Sequence, residues 1–182
     1  MRLIGCIVFA LALLATQAFA QSVNDKSIVP GERIGPASVT MTFERLGQAL
    51  GAKQGLGRPN NGQIVLQQPE TAESQASAVH RFDHVGLRAV TPPGSDRVGL
   101  IAAYNSTDVD HGYTTKEGIR IGSGRAEVEA AYGKPTAITT ANPSQSQMIY
   151  DDRGVGFRLT ADSKVDLIQV FRPGTARERW KF

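Results

Sequence analysis

The chain has 182 residues, a formal net charge of +3, 41% hydrophobic residues and one cysteine, Cys6. Charge this mild argues neither for nor against nucleic acid, and no nucleic-acid partner is expected. The length allows one domain or two small ones with a core large enough to need no disulfide.

Residues 1–20 read as an export leader. Arg2 supplies the positive start, Leu3 to Ala15 an apolar run shorter than a membrane span, and Ala18-Phe19-Ala20 a small-x-small cleavage site. Leu3-Ile4-Gly5-Cys6 has the look of a lipobox but stands too early for one. Cleavage after Ala20 removes Cys6, leaving neither disulfide nor thiol nucleophile. Residues 21–30 form a polar tether. No later apolar run is long enough to cross a membrane, so no transmembrane segment is expected after cleavage.

Thr40 to Leu50 has helical spacing in Phe43, Leu46, Ala49 and Leu50, stopped by Gly51. Residues 51–76 are rich in Gly, Gln, Asn and Pro. They read as loop around one short apolar run, Ile64-Val65-Leu66. Strands are predicted at Ala78 to Phe82, Val85 to Val90 and Val98 to Tyr104, the last two joined at Pro92-Pro93-Gly94-Ser95-Asp96. Arg125 to Tyr132 is a second short helix, with Gly133 and Pro135 closing it. Residues 136–146 read as loop. Strands follow at Gln147 to Tyr150, Val155 to Thr160 and Lys164 to Phe171.

The two halves run in the same order. Gly31-x-Arg33-Ile34-Gly35 parallels Gly118-x-Arg120-Ile121-Gly122, and Phe82-Asp83 parallels Tyr150-Asp151. Val85-Gly86-Leu87-Arg88 parallels Val155-Gly156-Phe157-Arg158. Arg97-Val98-x-Leu100-Ile101 parallels Lys164-Val165-x-Leu167-Ile168. Matches in one order predict an α+β fold made by tandem duplication of a short helix plus an antiparallel three-stranded sheet. The boundaries are 31–110 for the first repeat and 111–174 for the second, with a basic-aromatic tail over 175–182. Alternation along the strands places Arg88 and Arg158 on the face away from the helices. Ile101 and Ile168 are expected to join them there, giving a mixed cationic and apolar partner-binding surface.

The stretch Thr114-Thr115-x-x-Gly118-Ile119-x-Ile121-Gly122, with Glu127-Val128 and Tyr132-Gly133-Lys134-Pro135, resembles a segment of small exported bacterial proteins. These are the BamE/SmpA-OmlA outer-membrane assembly proteins and the β-lactamase-inhibitory-protein-like fold. The resemblance implies a periplasmic or secreted protein of a Gram-negative bacterium. It also implies a protein or envelope component as partner, met by a sheet face. Gly124 stands where that pattern carries a Ser or Thr cap, three residues before Glu127.

Chemistry is sparse. His80, His84 and His111, with Asp83, Asp108 and Asp110 nearby in "HRFDH" and "DVDH", form the one candidate metal set. Asp83 has a counterpart in Asp151 and reads more simply as a turn residue. No G-x-S-x-G elbow or phosphate-loop motif is present. The expectation is a non-catalytic binding protein with no cofactor. The alternatives are a small-ligand or metal carrier using the histidine segments, and a hydrolase of unrecognised type.

Overall fold

The structure is a computed structural model that describes residues 24–51, 77–105, 109–142 and 144–176. The expected leader, the loop strand Ile64-Val65-Leu66, Asp108 and the tail from 177 onward lie outside the described residues.

In chain order the elements are β1 Ser27–Val29, β2 Arg33–Ile34, β3 Ala37–Ser38, α1 Phe43–Ala49, β4 Ala78–Phe82, β5 Leu87–Thr91 and β6 Leu100–Tyr104. Then come β7 Thr114–Thr115, α2 Arg125–Tyr132, β8 Ala137–Asn142, β9 Gln145–Tyr150, β10 Val155–Leu159 and β11 Val165–Phe171. The fold is mixed α/β and rich in strand. Seven strands form one antiparallel sheet in the order β4-β5-β6-β11-β10-β9-β8. A small sheet, β3-β2-β1-β7, carries the parallel pair β1–β7.

The segment read as loop over 136–146 contains β8, which pairs with β9 from Ala137↔Ile149 to Asn142↔Gln145. Its Thr, Ala and Asn side chains give no clear alternation. It forms because β9 offers a free edge whose backbone groups need partners.

Both helices are short and held by local caps plus burial. Thr42 accepts the Arg45 N–H at 3.3 Å and starts α1. At α2 the Glu127 carboxylate accepts the Gly124 N–H, half of a capping box; glycine has no side chain to supply the other half. Leu46, Val128 and Tyr132 are buried with Leu87, Ile101, Phe157 and Ile168 in one core between helices and sheet. Each such buried side chain contributes about 1.5–3 kcal/mol relative to exposure. Tyr132 and Tyr150 sink their rings there and keep their hydroxyls satisfied, donating to Glu117 at 2.7 Å and to the Gly133 carbonyl at 2.9 Å.

Ile101 and Ile168 thus lie on the helix side, not on the outer face where simple alternation put them. A bulge between Arg158 and Leu159 is the cause in the second half: Leu159 pairs with Val165 and Arg158 with Leu167, leaving Asp166 as the extra residue. One extra residue swaps the face of everything after it. In the first half, Val98 is in the helix-side core although Leu100 faces outward, so the phase changes at Gly99, before β6 begins.

The β4–β5 and β9–β10 connections are alike. Each is a single 3-10 turn, Asp83–Val85 or Asp151–Arg153, closed by a glycine with φ of 66°: Gly86 or Gly154. The conformational counterpart of Gly86 is therefore Gly154, two residues before the Gly156 matched to it in the sequence. A Cβ on Gly154 would run into the Phe171 carbonyl and the Gly31 Cα, neither of which can move aside cheaply. Gly51 also has positive φ, at 67°, but an added Cβ there meets no described atom within 4 Å. Gly154→Ala is expected to lower unfolding free energy in urea by about 3 kcal/mol, adding backbone overlap to strain. Gly51→Ala should lose only about 1 kcal/mol. Equal losses would contradict the packing at the second turn.

Candidate functional site: an arginine-lined cavity on the helix-free face

On the face away from the helices, cross-strand partners line up in rows. One row runs Arg81, Arg88, Ala102, Gln169, Gly156 and Ile149. The next runs Tyr104, Leu167, Arg158 and Gln147. Most of the apolar members are closed off. Ala102, Ile149, Leu167 and Phe171 are fully buried, and Ala176, from the turn after β11, packs with them. The amides of Gln147 and Gln169 are also buried and bond to each other at 2.7 Å.

What stays open is a cavity of about 320 Å³ at the end of these rows. Arg81, Arg88, Arg158, Tyr104, Asn105 and Asp166 line it, with the half-buried Ile121 and the buried Val165 and Leu167. Ile121 and Gly122 come from the connection into α2, tied down by the Gly122 N–H donating to the Val165 carbonyl at 2.7 Å.

Two of the three arginines are neutralised. Arg158 makes a bidentate pair with Asp166, at 2.8 and 2.9 Å, about three-quarters buried. Asp166 is in reach because the bulge sets it beside Arg158. Arg81 pairs with Asp83 at 3.2 Å in an exposed setting, and its guanidinium lies over the Tyr104 ring at 5.5 Å. The Tyr104 hydroxyl donates to the same Asp83 carboxylate. That hydrogen bond is the first cause holding Asp83 below the usual carboxylate range, and burial is the first cause raising Tyr104.

Arg88 is different. Its guanidinium makes no hydrogen bond or ion pair among the described residues, yet it sits largely buried between Arg81 and Arg158. Burial first, then the Arg158 charge, pulls its pKa down to about 10, with Tyr104 and Asp166 opposing. Counting formal charges, Arg81 with Asp83 and Arg158 with Asp166 cancel, and Arg88 leaves one positive charge facing the cavity.

The sequence placed Arg88 and Arg158 on this face correctly but treated them as counterparts. With Gly86 set against Gly154, the counterpart of Arg88 is Gly156. Arg158 lies two residues further along, and this offset puts both arginines at one cavity. Arg81 was passed over inside "HRFDH", although it directly precedes Phe82 and so must face Arg88 across a hairpin with Phe82↔Leu87 as its last pair.

The three histidines do not assemble. The His80 ring stacks on Phe43 at 3.9 Å, on the helix side, and bonds the Thr91 hydroxyl at 3.3 Å. Burial lowers its pKa. The His84 ring bonds the Leu50 carbonyl at 3.0 Å, while the His111 ring covers Gly86. Burial, then the charges of Lys26 and His84, lowers His111 despite the raising effect of Asp110. Among the described residues no group of three or more His, Cys, Asp or Glu side chains is placed to hold a metal ion. No described helix is long and apolar enough to cross a membrane.

No protein-family model matches the chain, and no curated protein matches it. Among solved structures it is similar to a DUF4309 family protein, YjgB, from Bacillus subtilis subsp. subtilis str. 168. The identity is 12% and the TM-score 0.46, over 85% of this chain and 96% of that one.

A buried, unpaired cation is a burden on the fold. With its pKa lowered by burial, Arg88 opposes folding while charged. Arg88→Met keeps the aliphatic stem and removes the charge. It is expected to stabilise the protein by about 1–2 kcal/mol, raising the melting temperature roughly 3–6 °C for a domain of this size. A lower melting temperature would mean that Arg88 is held by a compensating interaction.

Proposed function

We propose that this is a non-catalytic binding protein exported to the bacterial envelope, periplasmic or secreted, which holds a protein or envelope component at the helix-free face of its sheet. One observation carries the proposal: the uncompensated charge of Arg88 in an open cavity, on a face whose central apolar residues are buried. A fold tolerates such a charge where a partner completes it. Among the described residues the cavity lining contains no histidine, and its one carboxylate, Asp166, is already committed to Arg158. That favours binding over acid–base chemistry. The likeness of the Thr114 to Pro135 stretch to BamE/SmpA-OmlA and β-lactamase-inhibitory-protein-like proteins is consistent with a sheet that meets another protein. The leader read in residues 1–20 supports export.

The fold is further proposed to be a tandem duplication. Support comes from matched connections in the two halves. Thr42 bridges Arg97 as Gly124 bridges Lys164, both at helix N-caps. The Val98 N–H donates to the Met41 carbonyl as the Val165 N–H does to that of Ser123. The paired 3-10 turns add a third correspondence.

A photo-crosslinking residue at Asn105, on the cavity rim, tests the binding face against one at Ala130, exposed on α2. In envelope preparations a discrete adduct is expected at Asn105, absent at Ala130, and lost when Arg88→Gln is added. Adducts at Ala130 alone would place the binding face on the helix side.

A further inference from the structure

The charge and shape of the cavity point past the face to the group that enters it. We propose that the arginine cavity binds a monoanionic carboxylate carried on an apolar body, seated on Arg88. The assignment rests on the binding face proposed above and narrows it to one ligand chemistry.

Charge count comes first. Arg158 and Asp166 already satisfy each other through both prongs of the guanidinium, and Arg81 shares Asp83 with Tyr104. One formal positive charge remains, and it is on Arg88. A ligand group with one negative charge neutralises it. A dianion such as a phosphate monoester would bring a second charge that only Arg81, by giving up its exposed pair with Asp83, or Arg158, by giving up Asp166, could meet. Breaking a partly buried bidentate pair opposes the second exchange.

Geometry comes next. The neighbouring Arg158–Asp166 pair shows that a carboxylate fits side-on to a guanidinium in this surrounding, with two bonds near 2.8 Å. Arg88 presents the same planar donor fork with no acceptor on it. A carboxylate ends a chain and enters a recess tip first, whereas a phosphodiester is flanked on both sides and must thread through. The volume of about 320 Å³ is at the small end of ligand pockets and suits a terminal group with a short tail. The half-buried Ile121 supplies apolar surface beside the cations, while Val165 and Leu167 in the lining are buried. An acid with an aliphatic or aromatic body uses both surfaces; acetate uses only one.

Such a carboxylate has two sources, a free organic acid or the C-terminus of a peptide. Their shared chemistry is what the cavity recognises, and the test separates them. In a 15N NMR titration of the purified protein, the probes are hexanoate, hexanamide, inorganic phosphate, dibutyl phosphate, and one apolar hexapeptide with free or amidated C-terminus. Hexanoate is expected to give saturable shifts at Arg88, Asn105 and Leu167, with a Kd on the order of 1 mM for so few atoms. Hexanamide is expected to give none. Arg88→Gln should weaken hexanoate at least tenfold, and Arg88→Lys, which keeps the charge but not the fork, by a smaller factor. A free-C-terminus peptide binding tighter than hexanoate, with its amide inert, identifies a peptide source; the reverse order identifies a small acid.

Tighter binding of phosphate or dibutyl phosphate than of hexanoate would overturn the carboxylate assignment. So would unchanged hexanoate shifts in a folded Arg88→Gln protein, or no saturable shift with any carboxylate. If carboxylates fail while the Asn105 adduct persists, only the ligand class falls. If both fail, the binding face falls with it.

Discussion

The pairing of β6 with β11 is the constraint on which the rest of the structure depends. Five residue pairs, from Leu100↔Phe171 to Tyr104↔Leu167, join two hairpin systems into one seven-stranded sheet. Without this ladder each half would have a free edge strand and half a core, a marginal arrangement in water. With it, α1 and α2 pack on one face over a shared apolar layer. The centre of the pairing is Ala102 opposite Gln169. Ala102 is buried on the outer face beside Arg88, while Gln169 is occupied by its bond to Gln147.

The cavity is a by-product of how the two halves differ across that junction. A strict match of the halves would set Arg88 against a glycine position and leave Arg81, its cross-strand partner, as the one cation beside it. The Arg158 position, two residues beyond Gly156, and the bulge that delivers Asp166 break the match. The outcome is three arginines, two of them paired within the fold and one, Arg88, left for something else. Arg88 thus links stability to binding. Its charge opposes folding for the same reason that it attracts an anion: it is taken out of water and given no partner.

The sequence was most legible where the determinants are local. The two short helices, the hairpins around Asp83 and Asp151, and the outward direction of Arg88 and Arg158 follow from spacing of apolar residues, turn glycines and strand alternation. It was misleading where a long-range pairing decides. Ile101 and Ile168 changed face because phase breaks at Gly99 and at Asp166 reset the alternation; the in-strand glycine marks the first break, and nothing in the sequence marks the second. β8 was invisible because it is recruited by the edge of β9 and not by its own pattern. The outer apolar residues, expected to be a mixed open surface, are buried around Ala102, Leu167 and Phe171. The histidines drew notice by their chemistry, but His80 is used to stack on Phe43 and His84 to bond Leu50.

The central claim is that one uncompensated positive charge faces the cavity at Arg88. Bromide tests it most directly, because it is a monoanion with an anomalous signal and no shape preference. Crystals soaked in bromide should show an anomalous peak in hydrogen-bond contact with the Arg88 guanidinium, with the Arg158–Asp166 pair intact. Bromide at other surface cations, with the cavity empty or with the ion on Arg158 in place of Asp166, would contradict the account.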